Sequence, residues 1–262
     1  MTERADPGWW VIAWQESRDL WVSGRGPMLV FAFSVLLSVI TYLAATNQVL
    51  DYLTQRDAVD LVLQVVVAVG ALMTLVVSAD GISGERERGT LESLLLAPVS
   101  PRQIVIGKLL AALTLWFAAF VVGVPYMLLL GRSVSIAGVA VLLGLVIGTL
   151  LAFALTVLGL LVSGNSGSNK MSLSVSLFLL LALYALTQLP TGSNHSWIAE
   201  VLVRINPVGS SLHYVSGLLV DGYGWTTELS YLASPVLAVV IAGVALAAVG
   251  PRLVRLTGGV SG

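Results

Sequence analysis

Six long apolar runs organise the sequence, at 27–46, 61–79, 104–130, 136–162, 172–189 and 232–250. A helix rises 1.5 Å per residue, so about 20 apolar residues cross the roughly 30 Å hydrocarbon core of a bilayer. Each run is therefore read as one transmembrane helix. The third and fourth are long enough to tilt or to project beyond the bilayer. Pro125 predicts a kink near the far end of the third. Gly144 and Gly148, in the fourth, have the G-x-x-x-G spacing that lets helices approach closely, within one chain or between two. No Asp, Glu, Arg or His falls inside any run, and Lys108 lies only at one end of the third.

Ahead of the first run stands "WWVIAWQESRDLW". Trp10, Ala13, Trp14, Ser17 and Trp21 recur at helical spacing and predict one shared face, with Glu16, Arg18 and Asp19 mostly off it. Tryptophans at headgroup level favour a helix lying in the interface, with Trp10, Trp14 and Trp21 against the lipid. A helix buried against protein is the alternative. Residues 1–26 and the run after them are too long for a cleaved leader, so 27–46 is read as a span.

Composition agrees with a multi-pass membrane protein. The chain of 262 residues is 57% hydrophobic and 10% charged, with mean hydropathy +0.94. Soluble domains carry about 25% charged residues. With no cysteine, disulfide frameworks and thiolate chemistry are excluded. Placing the N-terminus in the cytoplasm puts ten basic residues inside and leaves Arg56, Arg132 and Arg204 outside. By the positive-inside rule both termini are then cytoplasmic. No basic cluster suggests nucleic acid.

The motifs remove several functions. Proton-coupled pumps need ionisable groups at depth, and the spans lack them. No H-E-x-x-H, G-x-S-x-G or pair of intramembrane aspartates marks an enzyme. His195, Glu200, His213 and Asp221 share the segment 190–231, but their spacing matches no metal-ligand pattern, so solvated histidines and no metal are expected. Gly107-Lys108 falls short of a phosphate-binding loop, since Arg102 and Leu109 stand where Gly and Ser or Thr belong. ATP is not bound in that way, and energy for uphill movement must come from another subunit.

Against this background "GERERGTLESLLLAPVS", from Gly84, concentrates five charges in the eight residues 85–92. The spacing predicts an amphipathic helix over 84–96. Glu85 and Glu87 occupy its first turn, where carboxylates favour the positive end of the helix dipole. Glu85, Arg88 and Glu92 form one polar strip, and Leu91, Leu94 and Leu95 an apolar strip beside it. Pro98 stops the helix. Ser100, Pro101 and Gln103 then form a capping box that starts the third span. A solvated loop would explain the charges but not the leucine face and the abrupt stops. Such a helix suits docking into a partner, leucines anchoring and charges fixing register.

The stretch "GISGERERGTLESLLLAPVSPRQIVIGKLLAAL" resembles the signature of type-2 ABC exporter permeases, roughly G-E-x-E-x-G-T-L-E-x-L-L-x-x-P-V-S followed by G-K. The matching positions are Gly84, Glu85, Glu87, Gly89, Thr90, Leu91, Glu92, Leu94, Leu95, Pro98, Val99, Ser100, Gly107 and Lys108. "IAWQESRDLW" is similar to the family's elbow helix through Glu16, Arg18 and Leu20. "NPVGSSLHYVSGLLV", from Asn206 and Pro207, is similar to its outer re-entrant segment before the last span.

The resemblance implies an all-α membrane protein of one transmembrane domain, 1–262. Residues 80–100 would be the cytoplasmic coupling loop between spans two and three, and 190–231 the extracytoplasmic segment. It further implies pairing with a second permease, the same or a related chain, above two ABC ATPase subunits that hold ATP and magnesium, in a prokaryotic cytoplasmic membrane. The segment Gly84, Glu85, Arg86, Glu87, Arg88, Gly89, Thr90, Leu91 and Glu92, with Leu94 and Leu95, would contact the ATPase. Leu91, Leu94 and Leu95 would seat it, Glu85, Arg88 and Glu92 would set register, and Gly89 would permit close backbone approach. A second reading keeps the layout but has the ATPase drive mechanical work on an extracytoplasmic partner through 190–231. A third, an energy-independent scaffold, would bind no ATPase.

Overall fold

Because the interior of a bilayer offers no water to backbone N–H and C=O groups, apolar runs of this length close their hydrogen bonds as helices. The computed structural model describes residues 7–46, 52–92, 96, 98–188 and 197–253, and among these it contains helices and no strand. In chain order they are α1 (Gly8–Val22), α2 (Arg25–Thr46), α3 (Tyr52–Asp80), α4 (Ser83–Arg88), α5 (Pro101–Leu130), α6 (Ala137–Asn165), α7 (Asn169–Ala185), α8 (Trp197–Ile205), α9 (Pro207–Leu219) and α10 (Ala233–Leu253).

Five of the expected spans, α2, α3, α5, α6 and α10, are long and apolar enough to cross a membrane. α7 has 17 residues, about 26 Å of helix, and a 3-10 turn at Leu186–Gln188 extends it. α3 begins at Tyr52 rather than at 61, because helix propagation does not stop where hydropathy falls. That extension brings Asp60 into the helix at a buried position. α5 starts from the expected capping box: Ser100 N–H donates to Gln103 Oε1 at 2.9 Å, and Gln103 N–H to Ser100 Oγ at 3.4 Å. The helix runs through Pro125 to Leu130.

α3 packs most extensively against α6 and α5, and α1 lies across α5. Trp116 of α5 is fully buried at the centre of this core and donates its indole N–H to Thr149 Oγ1 of α6 at 3.0 Å. Its ring occupies the space left by the missing side chains of Gly70 and Gly148, while Gly144 faces Leu63 and Phe120. The G-x-x-x-G pair thus packs within the chain. Gly148→Val is expected to destabilise the protein by about 1–3 kcal/mol through overpacking. Gly138→Val, at a site with nothing within 4 Å, is the control in the same detergent-unfolding measurement. α2 and α10 form the periphery, with only 17% and 11% of their span windows buried.

The expected single tryptophan face of α1 is divided. Trp10 and Trp14 are exposed, whereas Ile12, Ala13 and Leu20 are buried. Trp21 turns inward and donates its indole N–H to Thr114 Oγ1 of α5 at 3.1 Å. The reason lies one turn away. Ile12 rests on Gly107, where a side chain would clash, and this close contact rolls α1 so that Glu16 faces the bundle.

The segment before the last span forms α8 and α9. Asn206 caps α9, its Oδ1 accepting from Val208 N–H at 3.0 Å, with Pro207 at the first helical position. Asn206 Nδ2 also donates to Leu183 O of α7 at 2.6 Å, and Ser234 Oγ of α10 to Ile205 O at 2.7 Å. The turn is therefore tied to helices on both sides.

Candidate functional site

The expected helix over 84–96 is interrupted. α4 spans six residues, Ser83–Arg88, and ends at Gly89, whose φ of 71° is left-handed. Gly89 N–H donates to Arg86 O, and Thr90 N–H to Glu85 O at 3.0 Å, closing the helix. Nothing lies within 4 Å of where a Gly89 side chain would begin. The left-handed backbone conformation by itself calls for glycine here. After this break Leu91 points inward and is 2% exposed, so it packs in the core rather than presenting a docking face. Leu94 and Leu95 lie outside the described residues.

The start of α4 is capped from another helix. Ser163 Oγ of α6 accepts from the N–H groups of Ile82 and Ser83 at 3.0 and 2.9 Å. These are the orphan donors that any helix N-terminus must satisfy. Ser163 and Ser83 are both buried, and Ser163 Oγ donates to Ser83 Oγ at 3.1 Å.

Three charged nodes then fix α4 in place. At the first, Asp80, 8% exposed at the end of α3, accepts from Asn169 Nδ2 at 2.7 Å, Arg25 Nη2 at 3.2 Å and Arg88 Nη1 at 3.5 Å. It therefore joins α2, α3, α4 and α7. At the second, Arg86 donates to Ser166 O at 2.8 Å and Gly164 O at 3.2 Å, placing a cation at the C-terminal end of α6, where the helix dipole favours it. The third node is the most buried. The Lys108 ammonium, with a side chain 4% exposed, donates to Glu16 Oε1 of α1 and to Glu85 Oε1 of α4, each at 2.5 Å. Gly84 packs against Asp80 and Arg88.

Glu85 thus faces inward, where register with a partner was expected. Glu87, Thr90 and Glu92 are exposed on the outer side of the same segment, and Arg88 remains half exposed while contacting Asp80. A cavity of about 690 Å³ opens beneath α1, lined by Glu16, Asp80, Glu85, Arg88, Lys108 and Leu160 among others.

Sequence reasoning missed Glu16, Asp80, Lys108 and Asn169 as members of this junction. One signal was present. A lysine inside the first two turns of an otherwise apolar helix has no water to solvate it and requires an acid from elsewhere.

At the other end of α3, Asp60 accepts from Ser216 Oγ of α9 at 2.5 Å and from Gln64 Nε2 at 2.8 Å. Asp60 and Asp80 are twenty residues apart, about 30 Å of helix, so the two acids bracket one hydrocarbon core rather than sitting within it. Of the segment's other polar residues, Glu200 pairs with Arg204 at 2.9 Å, and His213 stacks on Tyr231 with Nε2 3.4 Å from Glu228. His195 lies outside the described residues. Among those described, no group of three or more His, Cys, Asp or Glu is arranged to hold a metal ion.

The family model described as ABC-2 family transporter protein matches residues 10–250, from α1 through α10. The chain belongs to that family. No curated protein matches it. As an ABC-2 family protein it is a multi-pass membrane component and not the ATPase, and membership implies an ABC ATPase as its partner. The matched range includes the junction around α4 and the α8–α9 segment alike.

Proposed function

We propose that this chain is the permease subunit of an ATP-driven exporter in the cytoplasmic membrane of a prokaryote. It pairs with a second permease, the same or a related chain, and two ABC ATPase subunits supply ATP and magnesium from below. The junction end, with α4, faces the cytoplasm, and the α8–α9 segment faces out. The observation that carries this reading is how α4 is held. Its capped start and its charges engage α3, α5, α6 and α7, and α1 through the shared Lys108, while Glu87, Thr90 and Glu92 project outward. A segment so held passes force into the bundle instead of yielding, which is what coupling to an ATPase cycle requires. A partner shifts the permease between states only by the difference in its affinity for them.

The reading in which ATPase motion works on an extracytoplasmic partner draws support from the Asp60–Ser216 hydrogen bond. Through it α3 is one rod from α4 to α9, so displacement of α4 reaches the outer segment without any cargo pathway.

Co-expression with an ABC ATPase tests the assembly. We expect a stable complex whose ATP hydrolysis drives cargo into inverted vesicles. A chain that purifies alone, with no ATPase bound at any nucleotide state, would overturn the proposal. Hydrolysis stimulated by an extracytoplasmic protein, without flux, would select the mechanical reading.

A further inference from the structure

Gly107 and Lys108 match the G-K of the signature, but the docking of α4 gives them no task. Their surroundings do. Gly107 is where α1 touches α5, since Ile12 and the Ala13 backbone fill the place of its side chain. That approach brings Glu16 within reach of Lys108 in the next position. Lys108 also holds Glu85 of α4, so one buried ammonium is shared by carboxylates from two helices. Lysine suits the task, being a compact charge with three donors where arginine would demand a planar fork.

We infer that Lys108 is a positioning residue that makes the interfacial helix α1 part of the coupling element, so that α1 moves with α4. This rests on the coupling role proposed above and extends it to the bilayer surface. α1 carries exposed Trp10 and Trp14 on its outer side and Glu16 on its inner side. A displacement of α4 that keeps both ion pairs must carry α1 with it, and with α1 the headgroup layer in which those rings lie. Breaking the Glu85 pair strands its carboxylate in a largely buried site, and breaking the Glu16 pair leaves the buried ammonium one acceptor short, both of which are costly.

Hydrogen exchange reads this directly, because Glu85 lies in α4 yet the inference concerns the amides of α1. In the permease alone, Glu16→Gln and Glu85→Gln are each compared with the native chain. We expect Glu16→Gln to speed exchange across Gly8–Val22 roughly tenfold, the loss of one charge-assisted hydrogen bond. Glu85→Gln should also alter exchange in α1, because it changes the hold on the ammonium that Glu16 shares. Binding of the ATPase should slow exchange in α1 of the native complex but not of Glu16→Gln. A local packing role for Lys108 would leave α1 indifferent to Glu85. Unchanged α1 exchange in both glutamine variants, or an undiminished response to the ATPase in Glu16→Gln, would overturn the inference. Should no ATPase bind at all, the coupling proposal fails, while the two glutamine variants still decide whether Lys108 links the helices.

Discussion

Lys108→Met is expected to destabilise the protein by about 3 kcal/mol, toward the low end of what breaking a buried ion pair costs. The loss arises from what remains. Two carboxylates that shared one ammonium are left facing each other, with Glu85 largely buried and Glu16 about one-third exposed. Glu16 can turn to water, whereas Glu85 is fixed by the backbone of a six-residue helix capped at both ends. The asymmetry makes a sharper prediction than the single variant. Adding Glu85→Gln to Lys108→Met should restore most of the lost stability, because no unpaired charge then stays buried. Adding Glu16→Gln should restore little. Denaturant or thermal unfolding of the native chain and these three variants in one detergent supplies the comparison. Equal rescue by the two glutamines would mean that the ammonium neutralises the site as a whole instead of holding Glu85.

The parts of this fold that were legible in the sequence are those decided locally or by the solvent. The capping box at Ser100 involves residues three apart, and its geometry follows from their identity alone. The spans follow from the length a bilayer demands. The boundaries that moved are those where a helix continues past its apolar run, as α3 does through Asp60 to Tyr52.

The junction was harder to read for a different reason. Its charges stand close in sequence, but their partners do not. Glu16 meets Lys108 across ninety-two positions, and Asp80 meets Asn169 across eighty-nine. Periodicity assigns a face to each helix but not the neighbour that face will meet. α1 shows the limit. Its five-residue pattern predicted one face, and a single contact, Ile12 on Gly107, selected another. At α4 the error was one of local chemistry. Extending a helix through Gly89 kept Leu91 in register with Glu85 and Arg88. The left-handed turn at Gly89 instead sends Leu91 into the core. Of the segment's charges, Glu85, Arg86 and Arg88 hold the junction together, whereas Glu87 and Glu92 are exposed.

Reversing those exposed charges should have the largest functional effect. Glu87→Lys with Glu92→Lys is expected to weaken association with the ATPase by tenfold or more, equivalent to about 1.4 kcal/mol. Neither residue takes part in the three charged nodes, so insertion and unfolding of the permease should be unchanged. A single exposed ion pair contributes up to about 1 kcal/mol, and reversal replaces each attraction with a repulsion, so two sites together reach the expected loss. The dependence on salt separates this from damage to the fold. Exposed charges are screened within about 10 Å at 0.1 M salt. The gap between native and variant should therefore narrow as salt rises, and the loss should appear mainly in the association rate. Glu85→Gln offers the contrast. Its carboxylate faces Lys108, so any loss of binding it causes should persist at high salt and accompany reduced stability of the permease itself. Full ATPase binding by the double lysine variant at low salt would remove Glu87 and Glu92 from the docking surface. The burden of recognition would then fall on the backbone around Gly89 and Thr90.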